Sequence, residues 1–416
     1  MKSLQSLDWL SDALAPGQGI VLHSGAAHPA RLARMLAESA AALRGRRLHT
    51  LMPCGDLPYA DPGVREQFAI TAFLPGSALR PAMDSGHVEA LRVPLSQIPS
   101  AFDKGEFPVG AVLLRVSPPD PDGWVSLGVS VDYMPAAINA ARWVIAEIDP
   151  HMPRTCGDSR IRVERIDAYV DSTDLPFEAL ATESDPIEIA IAEHIATLVS
   201  DGDVLQLGVG SLPDRVLARL DHLKHLGVHT GIIGNGAMPL IERGVIDNSR
   251  KAVFAGTSVA TMALGSLNFY GFIDQNPAIS LHPCSVTHDA GILRRLGSLC
   301  AINSALQVDL NGAVNAEWAG RRRISLPGGL ADFARAAAAQ TRGSSIIALR
   351  AVNRFGESTI VPRLDAAAEP SLVPPEVDHV VTEFGIASLR GRSPSQRRQA
   401  LLAIASPLHR DMLAGA

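Results

Sequence analysis

The sequence predicts an α/β protein with two domains. Three observations lead to this prediction: the length of 416 residues, short apolar runs that alternate with helical patterns, and polar segments with prolines near the middle of the chain. At roughly 100–200 residues per domain, this length corresponds to two or three domains. Hydrophobic residues make up 47% of the chain and charged residues 19%, which excludes an intrinsically disordered protein. The aromatic content of 5% predicts an aliphatic core.

The first half of the chain alternates helical and strand patterns. A helix is predicted within residues 27–43, which are rich in Ala, Leu and Arg. The short, mainly apolar run over 111–116 predicts a strand of a parallel sheet, because such strands are buried on both faces. A second helix is predicted over 136–142 and a second strand over 143–148. Strands that alternate with helices are typical of α/β architecture.

The domain boundary is predicted near residues 165–188, where two polar segments contain proline, as linkers often do. We therefore expect an N-terminal domain over residues 1–185 and a C-terminal domain over residues 186–416. The second domain resumes the α/β pattern. The sequence predicts, in order, a helix over 187–199, a strand over 204–207, a helix over 213–220, a strand over 324–326 and a helix over 331–339.

Two turns that contain glycine are the strongest local candidates for a binding site. Gly208-Val209-Gly210-Ser211-Leu212 follows the predicted strand over 204–207, and Gly328-Gly329 follows the one over 324–326. Glycine lets the backbone approach a ligand closely, and the start of a helix offers free N–H groups to a phosphate. Either turn alone fits an ordinary tight turn equally well, and Pro213 takes the last glycine position of GxGxxG. Two such turns in one domain favour a ligand that carries a phosphate or an adenine.

Several single residues are weaker candidates. Glu317 and Glu383 each fit a buried acid or nucleophile, although a capping or paired glutamate is the commoner explanation. His229 and His282 lack metal-ligand spacing to other His or Cys residues, so we expect them to be polar pocket or structural histidines. Trp124 lies in an irregular loop, where it either packs a substrate or only closes the loop.

Charge, hydropathy and cysteine spacing exclude several other classes of protein. The net charge is −6 and no basic stripe is present, so we expect no nucleic-acid partner. No run of 18 apolar residues predicts a membrane span, and Asp8 and Asp12 interrupt the pattern of a targeting segment. The four cysteines are far apart and form no CxxC motif. We therefore expect no disulfide framework, no metal site and a cytoplasmic location.

These ordered motifs together resemble the acetyl-CoA hydrolase/transferase family, and within it the 4-hydroxybutyrate and acetate CoA-transferases. The resemblance covers nearly the whole chain and includes the sequences LQLGVGSLPD and VVTEFGIA. The segments that carry it are 116–120, 123–133, 152–155, 191–196, 205–214, 272–277, 302–305, 308–312, 380–387, 390–391 and 404–407.

The resemblance implies a fold, a ligand and an assembly. It implies two tandem open α/β domains of the CoA-transferase type with the active site at their interface, a coenzyme A thioester as substrate, and a homodimer. The turn over Gly208, Val209, Gly210, Ser211 and Leu212 is similar to the family's CoA-contacting loop. Gly328 and Gly329 are similar to its second glycine loop, Gly-Val-Gly-Gly-Gln, although leucine and proline replace the first two residues of that loop and leucine replaces its glutamine.

One position departs from the family where its chemistry takes place. In the family, a glutamate of a His-Ser-Glu-Met segment attacks the acyl-CoA thioester, and covalent acyl-glutamyl and glutamyl-CoA intermediates follow. The matching segment here is His229-Thr230-Gly231-Ile232, so Gly231 stands at the glutamate position. Glycine has no nucleophile, and the family route therefore cannot run through this residue.

Three hypotheses follow from this departure. In the first, water or another acceptor attacks a bound small acyl-CoA directly, with glycine-loop N–H groups stabilising the oxyanion and His229 as general base. In the second, the protein transfers CoA to a carboxylate acceptor and another carboxylate, Glu317 first, replaces the glutamate. In the third, it is a pseudoenzyme that binds an acyl-CoA or a partner subunit without chemistry.

Overall fold

The chain forms two compact units in the computed structural model, which describes residues 2–179, 185–366 and 368–415. The first unit comprises Met1–Ala179 and Ala260–Thr287, and the second comprises Leu180–Val259 and His288–Ala416. This division differs from the predicted domains 1–185 and 186–416. The first crossing lies six residues before the predicted boundary, but the return of 260–287 to the first unit was not predicted. Residues 180–184 of the predicted boundary region lie outside the described residues.

The return of 260–287 has a structural cause in the first unit. Ile279–Leu281 pairs in parallel with Cys156–Gly157. The backbone N–H of Cys284 also donates to the carbonyl of Asp132, 2.9 Å away. Such pairings join segments that are more than a hundred residues apart, so composition near a linker carries no sign of them.

The first unit is built on a parallel sheet, which confirms the α/β prediction. Val109–Val116 and Trp143–Ile148 are adjacent strands, close to the predicted strands over 111–116 and 143–148. All eight residues of the first of these strands are buried, which explains why it is mainly apolar; the one charged residue, Arg115, is paired with the carboxylate of Asp149. The strands of the sheet, in spatial order, are Lys2–Ser3, Ala168–Asp171, Trp143–Ile148, Val109–Val116, Gly19–Leu22, Arg47–Leu51, Ala69–Leu74 and Val88–Ala90.

Helices and short strands complete the first unit. The predicted helices over 27–43 and 136–142 correspond to Ala30–Glu38 and Met134–Ala140, each with a proline at its start. Trp124–Ser126 pairs antiparallel with Arg160–Arg162. The other α-helices and short strand are Leu10–Ala13, Arg80–Asp84, Ile98–Asp103, Leu267–Ile273, Cys284–Thr287 and Met262–Ala263, and the 3-10 turns are Gly25–Ala27, Pro58–Ala60, Arg65–Gln67, Leu95–Gln97 and Val163–Arg165.

The second unit is built on a second sheet, parallel except at one edge. Its strands, in spatial order, are Gly227–Val228, Val204–Leu207, Leu299–Ser304, Ser344–Ala348, His379–Thr382 and Gly385–Ser388. Only the last pair is antiparallel. The predicted strand over 204–207 is confirmed residue for residue.

The helices of the second unit follow the predictions more closely than its minor strands do. The predicted helices over 187–199, 213–220 and 331–339 correspond to Pro186–Ala196, Ser211–Leu217 and Leu330–Ala338. The predicted strand over 324–326 is wrong, because the chain there leaves a hairpin of Trp318–Ala319 with Arg322–Arg323 and turns back onto the Glu317 carbonyl. The remaining elements are Ile232–Ile233, Ala237–Glu242, Ser258–Ala260, Ala290–Arg295, Gln307–Asp309, Val314–Asn315, Ile360–Val361, Pro374–Glu376, Pro394–Ile404 and Arg410–Gly415.

The cores are mainly aliphatic, as predicted. One cluster in the first unit is an exception, because the ring of His49 packs among Phe73, Phe102 and Phe107 at centroid distances of 5.5 to 6.4 Å. Of the helices within the described residues, none is both long and apolar enough to cross a membrane. All four cysteines are free thiols.

Candidate active site

The first glycine turn follows the strand Val204–Leu207 at its carboxyl end. Gly208 and Gly210 are exposed, and a Cβ built on either would meet no atom within 4 Å. Gly210 has φ +122°, a left-handed conformation that favours glycine, and Ser211 and Leu212 begin the next helix. Open space beside a backbone turn at this end of a parallel sheet is typical of ligand sites in α/β proteins.

The segment with Gly231 lies next to this turn, because side-chain and backbone hydrogen bonds connect the two. The hydroxyl of Thr230 donates to the carbonyl of Leu207, 2.6 Å away, immediately before the turn. The backbone N–H of Gly236 donates to the carboxylate of Asp214, 3.0 Å away, in the first turn of the following helix. Gly231 and the turn over 208–212 therefore share one edge of the sheet.

The second glycine turn approaches the same place through a histidine. The nearest heavy atoms to a Cβ built on Gly231 are His288 Nε2 at 3.3 Å, His288 Cε1 at 3.6 Å and Phe333 Cε2 at 3.9 Å. A Cβ on Gly329 would meet the same two side chains, with His288 Cδ2 at 2.7 Å and Nε2 nearer still. The imidazole of His288 thus fills the space between Gly231 and Gly329. Gly328 adopts a left-handed φ of +54°, which turns the chain into the helix Leu330–Ala338.

Burial controls the electrostatics of this gap. His288 is 1% exposed, and its ring meets the ring of Phe333 edge-on at a centroid distance of 4.8 Å. Burial, with a smaller contribution from His229, lowers the pKa of His288 to about 3. The His288 imidazole is therefore neutral at physiological pH, with one ring nitrogen as donor and the other as acceptor. His229 is fully buried too, and its ring centroid lies 6.5 Å from that of Phe333.

Glu317 lies in a closed environment in the second unit. Its side chain is fully buried and accepts a hydrogen bond from the hydroxyl of Ser371, 2.9 Å away. The Glu317 backbone N–H donates to the side chain of Asn315, and its carbonyl accepts from the N–H of Ile324, 2.7 Å away. The backbone of Glu317 therefore holds the 315–325 hairpin together, while its carboxylate is bound to Ser371 outside the hairpin.

The other candidates have structural partners. The carboxylate of Glu383 accepts from the backbone N–H of Ala351, 2.9 Å away. In the first unit, the Nδ1 atom of His282 lies 2.8 Å from a carboxylate oxygen of Asp158, which fits the structural alternative. Trp124 is covered by two guanidinium groups, with the Arg162 carbon 4.1 Å and the Arg160 carbon 5.0 Å from the ring centroid. Trp124 thus packs against the paired strand Arg160–Arg162, and it also lines a cavity, so both alternatives for this residue stay open.

Sequence reasoning missed His288 and Phe333. His288 stands in the segment THDA, outside every motif, and only the three-dimensional position of its ring connects it with Gly231. Phe333 reads as one apolar residue of an amphipathic helix. No cluster of three or more His, Cys, Asp or Glu side chains suited to a metal ion occurs in the part of the chain that the structure describes.

Comparisons with known proteins place the chain in a family. Residues 2–177 match the acetyl-CoA hydrolase/transferase N-terminal domain, and residues 265–416 match the C-terminal domain. A 4-hydroxybutyrate coenzyme A transferase of Clostridium kluyveri is 35% identical over 395 residues, which cover 95% of this chain and 92% of that protein. This chain belongs to the acetyl-CoA hydrolase/transferase family.

Solved structures of similar proteins agree with the predicted fold. RipA from Yersinia pestis is 30% identical, with a TM-score of 0.91 over 99% of this chain and 96% of that one. A 4-hydroxybutyrate CoA-transferase from Porphyromonas gingivalis is 31% identical, with a TM-score of 0.81 over the same shares. The prediction of a two-domain α/β fold of the CoA-transferase type is confirmed.

Proposed function

We propose that this member of the acetyl-CoA hydrolase/transferase family transfers the acyl group of a small acyl-CoA directly to water or another acceptor, without a glutamyl intermediate. One observation carries the proposal. By the sequence resemblance, Gly231 stands at the position of the family nucleophile, and the side chain nearest to a Cβ built there is the imidazole of His288, not a carboxylate. A nucleophile that enters from solution can use the space that a glutamate would fill.

Two observations support an acyl-CoA as the proposed substrate. The similar proteins are named as CoA-transferases, and the glycine turns suit a ligand with phosphates. Gly208 and Gly210 leave open space beside the backbone, as a CoA-contacting loop requires. Gly328 and Gly329 lie on the other side of His288, where backbone N–H groups are expected to stabilise the oxyanion that forms on the acyl oxygen. We also propose a cytoplasmic location and a homodimer; light scattering on the purified protein tests the homodimer, and fractionation of the cells tests the location.

The alternative with Glu317 as nucleophile has less support. A nucleophilic carboxylate must reach the thioester carbonyl, but this one is already bound to the Ser371 hydroxyl. Its release would break a hydrogen bond to a charged group, which costs about 1.5–3 kcal/mol. The neighbourhood of Gly231 supplies an imidazole instead.

Thiol release from acetyl-CoA tests the proposal. The wild-type protein is expected to release free CoA without any carboxylate acceptor, and to form no adduct that hydroxylamine cleaves. Thiol release that requires propionate, together with propionyl-CoA formation and a hydroxylamine-sensitive adduct, would establish the covalent route and overturn the proposal. CoA binding by calorimetry with neither reaction would favour the pseudoenzyme.

Two substitutions at Gly231 give a sharper test. Gly231→Glu restores the family residue, and because the φ of Gly231 lies outside the left-handed region, the new Cβ needs only a small shift of His288, now 3.3 Å away. We expect this variant to acquire CoA transfer to propionate. Gly231→Gln has the same size without a nucleophile and serves as the matched control. Equal activity of the two variants would show that the rest of the site no longer supports glutamyl chemistry.

A further inference from the structure

The imidazole of His288 lies in the gap between Gly231 and Gly329. Its Nε2 is the heavy atom nearest to a Cβ built on either glycine. Glycine at position 329 makes room for the ring, because a Cβ there would lie far inside van der Waals distance of it, whereas a Cβ at position 231 would need only a small shift. One ring nitrogen therefore faces the space where the family nucleophile would stand.

Phe333 packs against this ring. It lies on the helix that begins after Gly329 and meets the imidazole edge-on at an interplanar angle of 64°. The backbone that follows His288 is held by Asp289, which accepts from the backbone N–H of Ile292, 2.7 Å away, and so caps the helix Ala290–Arg295. The packed phenylalanine and the capped helix start together limit the movement of His288.

We propose that His288 is a catalytic residue, the general base that activates water for attack on the thioester; this rests on the proposed function. Nε2 accepts a proton from water while the water oxygen bonds to the acyl carbon and the carbonyl π electrons move to oxygen. When the carbonyl re-forms, the carbon–sulfur bond breaks with its electron pair on sulfur. The imidazolium then returns the proton to the CoA thiolate. Acyl-CoA and water give a carboxylic acid and free CoA, and Nδ1 keeps its proton throughout.

The proposed general base is therefore His288 and not His229, the histidine named in the first hypothesis. Neither of the side chains nearest to the missing Cβ of Gly231 is His229. The low pKa of His288 keeps its imidazole neutral at physiological pH, the form that a general base requires. The same low pKa makes the His288 imidazole a weaker base. The negative charge that forms on the acyl oxygen compensates for this, because it stabilises the imidazolium.

Chemical rescue tests the role of this base. His288→Ala is expected to lose 10²–10⁴-fold in kcat for hydrolysis of acetyl-CoA, about the contribution of a positioned base, with KM changed less than threefold. Added imidazole is expected to restore part of the rate with saturation. His288→Gln, which keeps a hydrogen-bond donor but no base, is expected to be as slow as the alanine variant and to gain less from imidazole. His222→Gln, at an exposed histidine of the same unit, is the matched control and keeps the wild-type rate.

The outcomes separate this inference from the proposed function. A wild-type protein that hydrolyses acetyl-CoA while His288→Gln keeps its rate overturns the inference alone. A larger loss in His229→Gln than in His288→Gln also overturns it. If the wild type releases no thiol from any acyl-CoA, both fall. A solvent deuterium isotope effect on the wild-type kcat supports the inference without any variant, and its absence under single-turnover conditions counts against it even where the variants fail to fold.

Discussion

The contact between His288 and Gly329 predicts that a single methyl group is costly at this position. A Cβ on Gly329 would lie 2.7 Å from His288 Cδ2, nearer still to Nε2, and 3.4 Å from Phe333 Cε2. The ring cannot retreat freely, because Phe333 packs against it. Overpacking of this kind costs about 1–3 kcal/mol, so we expect Gly329→Ala to lower the free energy of unfolding by that amount.

A double-mutant cycle isolates the cause of this loss. In a His288→Ala background the clash is gone, so Gly329→Ala should cost less than about 0.5 kcal/mol there, and the coupling energy should be about 1–3 kcal/mol. Urea unfolding of the four proteins measures it. Gly271→Ala is the control, because a Cβ on that helical glycine meets nothing within 4 Å. An equal cost of Gly329→Ala in both backgrounds would refute the placement of His288.

Three further predictions use residues outside this contact. Burial lowers the pKa of His49 to about 4, so the unfolded state takes up a proton before the folded state does as pH falls from 6.5 to 4. The free energy of unfolding of the wild type should therefore decline over this range, and His49→Leu should reduce the slope of the decline by up to about 1.4 kcal/mol per pH unit. An unchanged slope in urea unfolding would contradict this prediction. Burial also lowers the pKa of Lys251 to about 7, so stability should rise between pH 7 and 10.5; Lys251→Met should remove that rise, and a rise that persists in calorimetry at several pH values would contradict this. Glu317→Gln should keep thiol release from acetyl-CoA within about threefold, since the direct route does not use this carboxylate, whereas complete loss of activity in a folded variant would favour Glu317 as nucleophile.

Local patterns predicted the sheet strands and helices well, because each is decided by residues close together in the chain. The mainly apolar run over 111–116 is sufficient to predict a buried parallel strand. The helix Pro186–Ala196 begins at a proline, as helices often do. Residues 324–326, wrongly predicted as a strand, have a similar apolar pattern. The backbone N–H of Ile324 donates to the Glu317 carbonyl instead, because the preceding hairpin brings the two together, and the local pattern does not predict that hairpin. The return of 260–287 to the first unit depends on equally distant pairing.

The candidate site was predictable only in part for the same reason. The glycine turns and the departure at Gly231 are visible in the sequence, because each belongs to a recognisable segment. His288 belongs to no motif, and its relevance is a matter of distance alone. In the sequence, Gly329 looks like part of a flexible turn. The structure shows that a side chain at this position would overlap the ring of His288, which lies 41 positions earlier in the chain.

Gly231 and His288 are best understood as two parts of one change. A carboxylate at position 231 would lie close to Nε2, since even the Cβ is only 3.3 Å away. A neighbouring negative charge stabilises imidazolium and raises the pKa of the ring, which removes the unprotonated nitrogen that a base requires. The glutamate route and the histidine route therefore exclude each other at this site. On this reasoning Gly231→Glu should lose hydrolysis by water as it gains transfer to propionate, and a variant that performs both at the wild-type hydrolysis rate would show that His288 is not the base.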